Sequence, residues 1–90
     1  MSGQSRTLEI TNRRGLHARA SAKFVNLATN LSATVEVEKD GNRVCGTSIM
    51  GLMMLGAAMG DTITIHCNGD DCGDAINQLA ALVTERFGED

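Results

Sequence analysis

The sequence predicts a two-layer α/β sandwich: a mainly antiparallel, four-stranded sheet with three helices packed on one face. Three observations lead there. Four short stretches alternate apolar and polar residues with a period of two, the mark of half-buried strands. Three other stretches carry apolar stripes at helical spacing. The 90 residues leave room for one core, so residues 1–90 are expected to form a single domain. The order is β-α-β-β-α-β-α, and helices that share one face of such a sheet leave the other face to water.

The first strand is expected over residues 6–11, with Leu8 and Ile10 on one face. From His17 the period becomes helical. Ala20, Phe24, Leu27, Ala28 and Leu31 form the apolar stripe, and Arg19, Lys23, Asn26 and Asn30 occupy another face. Residues 33–38 alternate again, with Ala33, Val35 and Val37 inward. Asp40-Gly41 is a hairpin-turn signal, and residues 42–46 read as the return strand. A short helix over residues 48–55 opens at Thr47 or Ser48 as N-cap and closes at Gly56. Residues 61–67 set Ile63, Ile65 and Cys67 against Thr62, Thr64 and His66, which makes a fourth strand with His66 exposed. Asp71, with Asp74 three residues on, reads as the cap of a last helix. Its stripe is Ile76, Leu79, Ala80, Val83 and Phe87, and Gly88 ends it.

Charge is unevenly spread. Residues 1–45 hold seven Lys/Arg and four Asp/Glu, a balance of +3, whereas residues 46–90 hold one and seven, a balance of -6. The positive pole centres on Arg13, Arg14, Arg19 and Lys23 and suits a small anionic group. Overall acidity argues against a nucleic acid, and the lack of Trp and Tyr removes the usual stacking platforms. The longest apolar run, residues 49–59, is far short of the ~20 residues that span a bilayer. No signal-peptide pattern opens the sequence, so a cytoplasmic protein without membrane insertion is expected. Cys45, Cys67 and Cys72 form no C-x-x-C pair and read as reduced thiols. His66, Cys67 and Cys72 lack a fourth ligand at zinc spacing, so no metal is expected, and no cofactor.

The stretch RRGLHARASAKFV carries the chemistry. Gly15 allows a sharp passage from strand to helix and Leu16 can anchor it in the core. His17 then falls at the helix N-cap, before the amides of Ala18, Arg19 and Ala20. Those N–H groups lack helical acceptors and carry the positive end of the helix dipole, a ready anion site. A charge there discourages protonation of the ring and leaves a neutral, nucleophilic nitrogen. A phosphoryl group on it would meet backbone donors and the Arg19 guanidinium. The residues themselves lead as far as an anion site with a nucleophile.

GLHARASAKFV together with TSIMGLMMLG resembles the HPr family, the histidine phosphocarriers of the bacterial phosphoenolpyruvate-dependent phosphotransferase system. MGDTITI and the final GDD…AI helix fit the same order, so the resemblance covers almost the whole chain. It implies an open-faced β-sandwich and a carrier that is not an enzyme. His17 matches the histidine that takes phosphate on ring Nδ1 from phospho-enzyme I and passes it to an enzyme IIA domain, in sugar uptake or a nitrogen-linked regulatory variant. Arg19 matches the arginine beside the phosphohistidine. Ser48 matches a serine that an HPr kinase/phosphorylase modifies in many bacteria. Ala20 stands where the family usually has proline and adds an amide donor. Thr47 stands where lysine is frequent, which sets the plain helix cap beside the kinase reading of Ser48.

The short helix is apolar nearly all round, more than one buried face requires. Met50, Leu52, Met53 and Met54 are therefore expected to supply a docking surface for several partners in turn. A monomer is expected. The competing reading is a regulatory binding module whose output is Ser48 phosphorylation; a nucleic-acid or ligand-binding domain is disfavoured by the charge and the missing aromatics.

Overall fold

The computed structural model describes residues 3–89. Its elements are β1 (Gly3–Glu9), α1 (Ala18–Thr29), β2 (Thr34–Lys39), β3 (Asn42–Cys45), α2 (Ile49–Met54), β4 (Thr62–Asn68) and α3 (Cys72–Thr84), followed by a single turn at Arg86–Gly88. The strands form one sheet in the order β1-β4-β2-β3, and each neighbouring pair is antiparallel. Alternation works as expected: Val35, Val37, Ile63, Ile65 and Cys67 are buried, while Thr34 and Thr62, which open the two strands, are exposed and Glu36, Thr64 and His66 between the buried residues are half-buried. The inner face packs on Ala20, Phe24, Leu52, Ile76, Leu79 and Val83 from the three helices, in one continuous core. In the β2–β3 hairpin Asp40 and Gly41 both take positive φ, 51° and 83°, the backbone of a tight two-residue turn.

Several expectations need correction. β1 begins at Gly3 and ends at Glu9, so Ile10 lies beyond the strand. It is still fully buried, and its N–H donates to the Asp61 carbonyl at 2.8 Å. The early start gave no alternating signal because Gln4 and Arg6, paired with Cys67 and Ile65, are polar and exposed on this edge strand. Leu27 and Leu31 sit at the margin of the core, half-buried, and α1 buries Ser21 beside Ala20. His66 is half-buried on the open face, held by Glu38 at 2.7 Å.

Asp71 precedes α3 but its side chain makes no capping bond. A left-handed backbone (φ 60°, ψ 31°) turns it away from the first-turn amides. Asp74 instead accepts a hydrogen bond from Gln78. Phe87 is buried as expected, though not as part of the α3 stripe. The helix ends at Thr84, and Arg86, Phe87 and Gly88 all take positive φ, 59°, 56° and 75°. Consecutive left-handed residues other than glycine are unfavourable and need tertiary support. Here burial of the Phe87 ring and a 2.7 Å hydrogen bond from Lys23 Nζ to the Phe87 carbonyl supply it. The turn sends the chain back toward α1.

Candidate functional site

Gly15 starts the site. Its φ is 62°, and a Cβ added there would lie 2.1 Å from the Ala57 carbonyl oxygen and 2.8 Å from the Ala58 Cα, so only glycine fits. The Leu16 N–H donates to that same carbonyl at 2.9 Å, and the Leu16 side chain is buried. The next residue, His17, is thereby fixed as the N-cap of α1, in extended backbone (φ -74°, ψ -179°). Its carbonyl accepts the Ser21 N–H, and the Ser21 hydroxyl donates back to the Leu16 carbonyl, which locks the turn.

The imidazole is held at both nitrogens. Nδ1 accepts the Arg19 backbone N–H at 3.3 Å, and Nε2 lies 2.5 Å from Glu89 Oε2. An acceptor at Nδ1 and a carboxylate at Nε2 place the ring proton on Nε2 and a lone pair on Nδ1, beside the first-turn amides. Glu89 is itself fixed. Its Oε1 accepts from Asn12 Nδ2 at 3.1 Å, and Asn12, fully buried, also donates to the Gly15 carbonyl at 2.8 Å. Burial opposes ionisation of Glu89, but the hydrogen bonds from Asn12 and His17, with the charge of Lys23, outweigh it. The carboxyl is held below its ordinary value.

A shallow cavity of about 480 Å³ opens over the ring, lined by Arg13, Arg14, Arg19 and Lys23 with His17 and Glu89. Four cations thus face one carboxylate. Among the described residues the guanidinium groups of Arg13, Arg14 and Arg19 make no ion pair. They stand ready for an incoming anion.

The structure brings His17, Arg19 and the amides of Ala18–Ala20 together as the sequence predicts, with the cationic pole around them. Sequence reasoning missed Asn12 and Glu89. Glu89 sat beyond a helix stripe that ran through Phe87, and only the unforecast left-handed turn returns it to His17. Ser48 is the N-cap of α2, its Oγ accepting the Gly51 N–H at 3.0 Å; the Thr47 hydroxyl pairs instead with Cys45 Sγ.

The α2 surface is only partly as expected. Met50, Met53 and Met54 are exposed by 68%, 40% and 80%, but Leu52 is fully buried and cannot touch a partner. A six-residue helix without a polar face gave no phase to tell inward from outward. Ile49 and Met59 are exposed too.

His66, Cys67 and Cys72 do not converge: His66 lies on the open face, whereas Cys67 and Cys72 are buried on the other side of the strand. Burial and the neighbouring Cys72 push the Cys67 thiol up to about 12. Among the described residues no three His, Cys, Asp or Glu side chains gather as a metal site, and no helix is long and apolar enough to cross a membrane.

Known proteins resemble the chain in sequence and in fold. A family model described as the PTS HPr component phosphorylation site matches residues 4–85. The phosphocarrier protein HPr of Cupriavidus necator is 46% identical over 84 residues, covering 93% of this chain and 94% of that one. The phosphocarrier protein NPr of Shewanella violacea is 36% identical, covering 99% and 98%. Among solved structures, HPr from Thermoanaerobacter tengcongensis superposes with a TM-score of 0.92 at 42% identity, covering 97% of this chain and 98% of that one.

Proposed function

The chain belongs to the HPr family of the phosphotransferase system, and from that premise we propose that His17 Nδ1 carries the phosphoryl group. The protein is a phosphocarrier in that relay and not an enzyme. In this reading phospho-enzyme I is the donor and a histidine of an enzyme IIA domain the acceptor. The Nδ1 lone pair attacks phosphorus, the phosphorus–nitrogen bond of the donor breaks, and its electron pair returns to the donor nitrogen. The Nδ1–phosphorus bond uses the lone pair that accepted the Arg19 N–H. That amide, with those of Ala18 and Ala20, is then free for the phosphoryl oxygens. Arg19 neutralises their charge from the side.

The observation that carries the proposal is the two-sided hold on the ring. Glu89 keeps the proton on Nε2, so Nδ1 attacks as a neutral imidazole nitrogen and later leaves as one. Partners dock on Met50, Met53 and Met54 beside the His17 end of α1, with Ile49 and Met59 extending the surface. Ser48 is the site for a regulatory HPr kinase/phosphorylase. Residues 1–90 act as one domain, a cytoplasmic monomer. The test is intact mass after incubation with phosphoenolpyruvate and enzyme I. Wild type should gain one acid-labile, base-stable phosphate and His17→Ala none; a phosphorylated His17→Ala would refute the assignment.

A further inference from the structure

Methionine is among the residue types most often buried. Here the pattern is reversed. The sequence has five methionines, and the four among the described residues, Met50, Met53, Met54 and Met59, are all exposed, by 68%, 40%, 80% and 58%. The core is filled by Leu, Ile, Val, Phe, Ala and Cys instead. The four also lie in one stretch beside the site. Met50, Met53 and Met54 follow i, i+3, i+4 spacing on α2 and so share a side of it. Met59 follows the loop whose Ala57 carbonyl holds the Leu16 N–H and against which Gly15 packs. Leucine would give this surface the same apolar area. A thioether adds reactivity: an exposed methionine can be oxidised where it stands, while oxidation of a buried one disrupts packing.

We propose that Met50, Met54 and Met59 form a reversible methionine-oxidation site that switches off partner docking and leaves the fold and His17 intact. The reactant is a peroxide. The sulfur lone pair attacks one peroxide oxygen, the O–O bond breaks as the S–O bond forms, and the remaining oxygen leaves as water after proton transfer. Sulfur loses two electrons and the peroxide gains them. A dithiol reductase reverses the change: the sulfoxide oxygen leaves as water and the two thiols become a disulfide. The sulfoxide is a strong, dipolar acceptor on a surface that needs apolar contact, so its desolvation opposes docking. The core has no methionine among the described residues to be damaged at the same time.

This inference rests on the reading of α2 as the docking surface, and the experiment separates the two. The full chain is treated with dilute hydrogen peroxide and then with dithiothreitol, which reverses a sulfenate or disulfide at exposed Cys45 but not a methionine sulfoxide. Peptide mass mapping should find one added oxygen first on Met50, Met54 and Met59, with the thermal unfolding midpoint unchanged. The half-saturation concentration for phosphoryl transfer from phospho-enzyme I should rise about tenfold and return after methionine sulfoxide reductase treatment. In Met50→Leu/Met54→Leu/Met59→Leu, peroxide should leave the variant's own half-saturation where it began. An unchanged value for oxidised wild type, or an equal rise in the leucine variant, would overturn the proposal. Met54→Glu tests the docking reading alone: if it leaves half-saturation untouched, the surface is not a docking site and the proposal falls with it.

Discussion

Two helices in this molecule begin with a polar side chain that accepts a first-turn amide: His17 Nδ1 takes the Arg19 N–H, and Ser48 Oγ takes that of Gly51. The local signal is the same and the surroundings are not. Behind His17 stand a carboxylate fixed by a buried asparagine and a wall of cations. The Ser48 hydroxyl has the Gly51 amide as its one hydrogen-bond partner among the described residues, and exposed methionines follow it. A cap therefore does not make a phosphoryl acceptor. A nucleophile also needs its proton held elsewhere and its product's charge met. His17 has both; Ser48 has neither and would need a kinase to bring a base and a metal-bound phosphate donor.

The largest expected effect tests the cationic wall. Arg19→Ala should slow transfer about tenfold or more, since a charge-assisted hydrogen bond contributes about 1.5–3 kcal/mol. The fold should survive, because Arg19 is exposed and its side chain has no hydrogen-bond or ion-pair partner among the described residues to lose. Glu89→Ala should follow, with a loss of about tenfold in maximal rate. Nitrogen-15 spectra of its ring should show a mixture of tautomers where wild type shows the proton on Nε2. If Glu89→Ala kept both the wild-type rate and the wild-type tautomer, the carboxylate would be no more than a structural strap.

At the other helix start the effect should be smaller and of another kind. Ser48→Asp keeps a good N-cap and adds charge near the docking surface, on a helix packed against α1. It should raise the half-saturation concentration for enzyme I several-fold and leave the maximal rate alone. Ser48→Ala removes the cap without adding charge, so it should cost about 1 kcal/mol of stability and leave transfer unchanged. A fall in maximal rate for Ser48→Asp would mean that the two helix starts are coupled through the ring itself.

What the sequence disclosed and what it hid follow one physical line. Gly15, Leu16, His17, Arg19 and Ser48 were legible because a cap acts on amides within three residues of itself. The strand phases of β2 and β4 were legible because one face of each is buried and the other is not. Glu89 was hidden because its partner lies 72 residues away and the turn that returns it contains Arg86 and Phe87 at positive φ, which no local preference favours. Asn12 was hidden for the same reason, since its role is to hold Glu89. The inward place of Leu52 was hidden because an all-apolar helix has no phase.

The smallest expected effect concerns that hidden contact and its dependence on acid. The Glu89 carboxyl is held below its ordinary value of 4.5. Burial pulls the other way, and the bonds from Asn12 and His17 with the charge of Lys23 prevail. A carboxyl whose folded value is depressed stabilises the fold above its unfolded value, and that contribution disappears as pH falls through the folded one. Wild type should therefore have a higher urea midpoint than Glu89→Gln near neutral pH, and the two should converge in acid, below the folded value. The difference should be modest, because the side chain is partly open to solvent. Loss of the contact should show first in faster amide exchange at Arg86–Gly88, where three left-handed residues depend on tertiary support. If the midpoints stayed apart in acid, the contact would act through shape and not through charge, and the contrast between the two helix starts would narrow to the cations alone.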